Sequence, residues 1–181
     1  MIAFRTDTFY GLGVDPFNAV AVDRLRALKG REDDKPILLL ISDLDQGERV
    51  IEQRTAEFIE LAARFWPGPL TIIGKATTDL PEGVSAGTGT VGIRLPADER
   101  VRELVKTCGG VLTATSANPA GREPARSAAD VRSYFPEGID LIVDDGEVTA
   151  TEPSTVVDAI TSPPRVIREG AIPASVIVPR V

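Results

Sequence analysis

Two periods of apolar residues run along this chain. Short apolar runs bounded by Gly, Pro or polar clusters predict strands at residues 2–4, 36–41, 70–75, 91–95, 111–113, 139–143, 155–160 and 165–167. Between them the apolar spacing lengthens to that of a helix. Asn18 is placed to cap a helix that ends at Lys29, with Gly30 as the left-handed stop. After Thr55, the residues Phe58, Leu61, Ala62 and Phe65 recur at i, i+3, i+4 and i+7, and Pro67-Gly68-Pro69 ends the run. Asp98 opens a helix with Val101, Leu104, Val105 and Cys108 on one face, stopped by Gly109-Gly110. Ser127 with Asp130 has the spacing of a capping box for a helix reaching Tyr134. Residues 6–16, punctuated by Gly11, Gly13 and Pro16, are expected to form a loop, and residues 77–90 a second, mobile one.

Helices and strands alternate early, and strands crowd together late. This order predicts an α/β fold built on an open, twisted, mixed parallel/antiparallel sheet with flanking helices, rather than a strictly parallel doubly wound one. No repeat, low-complexity tract or linker interrupts the 181 residues, so a single domain over 1–181 is expected. No apolar run approaches the roughly 20 residues of a membrane span. No leader opens the chain, since Arg5 and Asp7 follow at once. The single Cys108 forms no internal disulfide or CxxC pair, which fits a cytoplasmic protein.

The candidate chemistry is set by what is missing. The chain has no histidine, so the default base at neutral pH is absent and a protein-built zinc site is close to excluded. Three polar clusters lie beside predicted strands: Lys29-Gly30-Arg31, Thr115-Ser116-Ala117-Asn118 and Ser154-Thr155. Lys, Arg, Ser, Thr and Asn suit the holding of a multiply charged anion and the stabilisation of charge moving between oxygens. The net charge of −7 argues against a whole-surface nucleic-acid binder. It asks instead for a locally basic pocket. Two phosphate-loop resemblances fail. Residues 87–92 match GxGxxG but run into a strand, not a helix. Residues 68–75 have the wrong glycine spacing for a Walker A loop and end before Ala76 rather than Ser or Thr.

Further motifs occur in order: Arg-Thr-Asp-Thr-Phe-Tyr-Gly-Leu-Gly at 5–13, Pro-Gly-Pro-x-Thr at 67–71, Gly-Ile-Arg-Leu-Pro at 92–96, Ser-Thr-Val-Val-Asp at 154–158 and Arg-Glu-Gly-Ala-Ile at 168–172. With the three clusters and Gly121, they resemble the YrdC-like family of threonylcarbamoyl-AMP synthases across nearly the whole chain, in its short, single-domain form. The resemblance implies an α/β fold around a concave basic cavity. It also implies an enzyme, a nucleotidyltransferase, that joins L-threonine, bicarbonate or CO2, and ATP into threonylcarbamoyl-adenylate with release of pyrophosphate. Mg2+ is expected with the ATP, and a separate tRNA-modifying threonylcarbamoyl transferase complex as partner. Direct tRNA binding is not expected. By the same resemblance Lys29, Arg31, Ser116 and Asn118 form the catalytic and ATP-binding tetrad, with Arg168 reaching the nucleotide. Thr6, Arg94 and Ser154 meet the threonine, and no protein side chain ligates metal.

Read locally, each of these residues has a plainer alternative. Lys29 and Arg31 are two cations at a helix C-terminus, expected to be exposed and cheap to remove. Ser116 and Asn118 belong to an Asn-Pro turn. Arg94 is an edge arginine snorkelling out of an apolar strand. Thr8 and Tyr10 belong to the amino-acid pocket or, for Tyr10, to the core. Trp66 and Phe65 are read as core, and Thr155 as a support for Ser154. Asp7, Asp33 and Asp34 are the acids nearest the site, though none stands out as a base. The departures from the family pattern are Arg5 for the usual proline, Asp7 for the usual glutamate, and a first strand with no helix before it. Two other functions fit the same fold: a non-catalytic RNA-binding or ribosome-associated module, and a carbamoyl-adenylate enzyme using carbamoyl phosphate.

Overall fold

The computed structural model describes residues 1–30, 35–150 and 152–177. In chain order the elements are β1 (Ile2–Arg5), β2 (Tyr10–Gly13), α1 (Ala19–Lys29), β3 (Leu39–Ile41), a 3-10 turn (Asp45–Arg49), α2 (Ala56–Phe65), β4 (Leu70–Lys75), α3 (Glu82–Ser85) and β5 (Thr90–Arg94). They continue with α4 (Glu99–Thr107), β6 (Val111–Thr113), β7 (Thr115–Ser116), α5 (Ala128–Tyr134), β8 (Leu141–Val143), β9 (Thr155–Asp158), β10 (Arg165–Arg168) and α6 (Ala174–Ile177).

The helix signals are realised as capping chemistry. Asn18 accepts from the Ala21 amide, and Gly30 closes α1 in the left-handed conformation at φ 59°. Thr55 caps α2 through the Phe58 amide, and the reciprocal capping box of Ser127 and Asp130 opens α5. Three stretches differ from the sequence expectation. Residues 10–13 are a fully buried strand rather than loop, because β2 pairs antiparallel with both β1 and β7. A Cβ on Gly13 would sit 2.8 Å from Phe4 and Leu112, so this glycine marks close packing rather than a turn. The stretch 77–90 contains the short helix α3. The run from Pro36 pairs as a strand only over Leu39–Ile41.

Hydrogen bonding divides the strands into two mixed sheets, ordered β7-β2-β1-β8 and β10-β9-β4-β5-β3-β6. Parallel pairs (β1 with β8, β3 with β5, β4 with β9) sit among antiparallel ones, so the architecture is the mixed, open one expected. The principal core lies under Tyr10, Leu12, Leu25, Leu39, Leu70, Ile72 and Ile93, all fully buried, each large aliphatic contributing on the order of 1.5–3 kcal/mol. Phe65 and Trp66 pack on its margin, half-buried, with Trp66 edge-on to Phe58 at 5.7 Å.

Strand register decides where the polar residues go. Arg94 is the last residue of β5, while Leu70 opens β4 and Thr155 opens β9, facing each other in register. The end of β5 and the starts of β4 and β9 therefore share one end of the larger sheet. In the smaller sheet Gly11 faces Ser116, so the 6–9 turn and the end of β7 come together too.

Candidate functional site

The last turn of α1 delivers Lys29 into the interior, leaving it 6% exposed. Its Nζ donates to the carbonyls of Ser116 (2.6 Å) and Asn118, and to Asn118 Oδ1 at 3.3 Å. The segment after β7 is thus folded around an ammonium. Asn118 also donates from its backbone to Ser116 O at 3.0 Å and from Nδ2 to Arg122 O at 2.6 Å. The Asn-Pro turn is therefore real, and it serves to present carbonyls to Lys29. The expectation of an exposed lysine, cheap to remove for stability, is corrected: its head group is held by the Ser116 and Asn118 acceptors and the residue is 6% exposed. Arg31 lies outside the described residues, as do Asp33 and Asp34.

Arg94 is 2% exposed and stands on an inner strand, with β4 on one side and β3 on the other. An edge arginine snorkelling into water is ruled out by that position. Its Nε donates to Gly68 O at 2.9 Å, Nη1 to Thr8 Oγ1 at 3.3 Å, and Nη2 stands 2.5 Å from Asp7 Oδ2. Burial pulls the guanidinium below its ordinary pKa, Asp7 works against that, and the charge of Arg168 adds to it. Arg94 nonetheless stays charged at any physiological pH.

Arg168 ends β10 and turns its guanidinium inward, although much of the side chain is exposed. Its Nη2 donates to Ser154 O at 2.8 Å and reaches Ser154 Oγ at 3.4 Å. Ser154 Oγ shares a 2.9 Å hydrogen bond with Thr71 Oγ1, and both residues are buried. Thr155, fully buried, holds the following turn: its Oγ1 donates to Ile172 O at 2.7 Å and accepts from the Gly170 and Ile172 amides. Gly170 is required because a Cβ there would meet Pro153 O at 2.3 Å. The late Arg-x-Gly-x-Ile motif therefore clamps β10 onto Ser154.

The 6–9 turn joins the two halves. Thr6 Oγ1 donates to Phe9 O at 2.6 Å and accepts from the Thr8 and Phe9 amides, while Thr8 Oγ1 lies 3.1 Å from it and reaches Arg94. Thr6 shapes the turn, and Thr8 is the hydroxyl turned toward the cation. Tyr10 is core, with its hydroxyl donating to Gly146 O at 2.8 Å. Lys29, Ser116 and Asn118 gather on one side, Arg94, Ser154 and Arg168 on the other, with Thr6 between. Thr8 was expected in the amino-acid pocket and does reach Arg94, whereas Thr71 and the Gly68 carbonyl were not singled out by sequence. Thr71 and Gly68 do stand in the Pro-Gly-Pro-x-Thr motif, the one signal that pointed to them. Among the described residues no cluster of His, Cys, Asp or Glu could hold a metal ion, and no helix is long and apolar enough to cross a membrane.

The Sua5/YciO/YrdC family model, described as "Telomere recombination", matches residues 1–170. A Halorhodospira halophila protein named threonylcarbamoyl-AMP synthase is 42% identical over 143 residues, covering 79% of this chain and 75% of its own. A Pyrococcus abyssi protein of the same name is 36% identical over 173 residues, and there the chain spans about half of the relative's length, 51%. The crystal structure of P. abyssi Sua5 complexed with L-threonine matches with a TM-score of 0.92 at 34% identity, covering 98% of this chain and 53% of that one. With the ordered motifs, the mixed sheets and these relatives in agreement, the chain belongs to the Sua5/YciO/YrdC family.

Proposed function

We propose that this chain is an L-threonylcarbamoyladenylate synthase, a single-domain nucleotidyltransferase working on L-threonine, bicarbonate or CO2, and ATP. The observation that carries the proposal is the placement of a buried, inward-facing Arg94 beside Thr8, Ser154 and Arg168, with the Lys29–Ser116–Asn118 group across the 6–9 turn. One half offers guanidinium groups and hydroxyls sized for a small carboxylate. The other offers an ammonium in a frame of backbone and amide groups. Relatives named threonylcarbamoyl-AMP synthase, one of them solved with L-threonine, support the same assignment.

In this mechanism Arg94 takes the carboxylate of threonine through its Nη1/Nη2 edge, with Ser154 beside it and Thr6 shaping the wall. Lys29, Arg31, Ser116 and Asn118 receive the triphosphate, and Arg168 approaches the nucleotide from the far side. The neutral threonine amine adds to CO2 and releases one proton to solvent, or condenses with bicarbonate and releases water; the resulting carbamate is already an anion. One carbamate oxygen attacks the α-phosphorus, the bond to the β-phosphate breaks, and pyrophosphate leaves. The protein's part is to bring two anions together and stabilise the charge that shifts between their oxygens, so a histidine base is not needed. Mg2+ would arrive with the ATP phosphates and neutralise part of their charge. The adenylate then passes to a tRNA-modifying threonylcarbamoyl transferase complex. Pyrophosphate release with all three substrates, and with each omitted in turn, tests the proposal. Strict dependence on threonine, ATP and bicarbonate is expected. Release that ignores threonine would sink it.

A further inference from the structure

The outer side of α2 is apolar where the outward face of a surface helix is ordinarily polar. Ile59 is 55% exposed, and Ala63, one turn on, is exposed too. With Leu44, 49% exposed, they rim a cavity of about 150 Å³. Its floor is Phe58, Trp66 and Ile93. Among the lining residues only Arg54 is charged, and it is paired with Glu48. A cavity of this size and lining offers water no hydrogen bonds and takes apolar groups instead.

The exposed side of α2 carries two columns, each one helical turn long. Ile59 and Ala63 form the apolar column: a large side chain, and a small one that leaves the cavity mouth open. Glu60 and Arg64, both exposed, form the polar column, and neither has an ion-pair partner among the described residues. In each column one member complements the other. Members four residues apart change places under a twofold axis lying across the helix, which sets α2 antiparallel to its copy. One such axis serves both columns. It brings Ile59 of each copy over Ala63 of the other, into the cavity mouth, and sets Glu60 of each against Arg64 of the other.

We propose that α2 is a self-association surface on which a second copy of this chain docks through that twofold. The proposal is independent of the threonylcarbamoyl-adenylate assignment, because α2 holds none of the proposed site residues. The face is small, so the dimer is a weak one, dissociating in the micromolar range. Insertion of Ile59 supplies the affinity, and the charge pairs fix the register.

Sedimentation equilibrium of the full chain tests this, together with the emission of Trp66 on dilution. Trp66 is the single tryptophan of the sequence and lines the cavity, so it reports what enters. A concentration-dependent dimer is expected, with Trp66 emission moving to the red as it dissociates. Ile59→Glu should abolish it. Glu60→Arg alone and Arg64→Glu alone each set like charges together twice per dimer, and should weaken it by at least about tenfold. The double reversal should return it to within about threefold of the wild type. Pyrophosphate release should not change in any of the four variants. Should Arg64→Glu not fold once its stacking over Phe65 (4.9 Å) is lost, Glu60→Arg decides with added salt, which screens the repulsion and must restore the dimer. A monomer at every concentration overturns the proposal. So does a dimer that Ile59→Glu or the single reversals leave unchanged, or one that neither the double reversal nor salt restores. A monomer whose Trp66 emission responds to benzene would give the cavity to a small apolar ligand and overturn it as well.

Discussion

Lys29 and Arg94 are cations that the fold buries, at 6% and 2% exposure, and that is what makes them informative. Lys29→Met removes the donor that holds Ser116 O and Asn118 O. Leaving buried carbonyls unpaired costs about 1–3 kcal/mol, so the variant should lose both turnover and stability, read as a lower denaturation midpoint beside a pyrophosphate assay. Arg94→Ala would strand the Asp7 carboxylate and cost about 3–5 kcal/mol, mixing folding with function. Arg94→Lys keeps the charge and loses the fork. It should raise the threonine KM by at least about tenfold, the value of one lost charge-assisted bond, with the ATP KM within about twofold. Equal effects on the two KM values would remove Arg94 from the threonine side. The identity of these residues was legible in sequence because a charge inside an apolar run or at a strand–helix junction stands out. Their burial was not, because it depends on β4, β3 and β7, which come from distant stretches.

At the scale of elements, the turns and caps carry the site. Ser127→Ala removes the capping box of α5 and should cost about 1 kcal/mol with activity intact in the folded fraction, since α5 holds none of the proposed site residues. Gly170→Ala acts differently. Its Cβ would collide with Pro153 O, so the β10 clamp must shift away from Ser154. A loss of about 1–3 kcal/mol is expected, together with a weaker response to threonine, because Arg168 and Ser154 are displaced as a unit. A Gly170→Ala chain with wild-type stability and kinetics would show that the clamp is not needed. Helix ends were readable because capping is local chemistry at fixed spacing. Strand β2 was not, because Gly11 and Gly13 are turn formers by habit and become strand residues only when β1, β6 and β7 press on them.

Across the whole molecule, electrostatics link regions that are distant in sequence. Asp140, ahead of β8, takes a two-pronged contact from Arg24 of α1 at 2.9 and 3.0 Å and a further one from the chain's amino group. The Arg24 hydrogen bonds, then the amino group, hold its carboxyl down at about 2. Its folded pKa is depressed below the roughly 3.9 of an unfolded chain, so its stabilisation is complete above that value and is lost as pH falls toward 2. Asp140→Asn should flatten the stability profile over that acid window in denaturant melts at low salt, and added salt should shrink the difference because the contact is exposed. A steep acid limb in the variant would place the dependence elsewhere. By itself the sequence determined the four longer helices (α1, α2, α4 and α5), the mixed character of the sheet, the absence of histidine chemistry and most of the residues now grouped at the site. These follow from spacing and residue type within a few positions of each other. Tertiary structure alone decided that Lys29 is wrapped rather than free, that Arg94 sits on an inner strand, and that Thr71 backs Ser154. Each of those depends on strand register between segments far apart in the chain, and register is set by how the whole core packs.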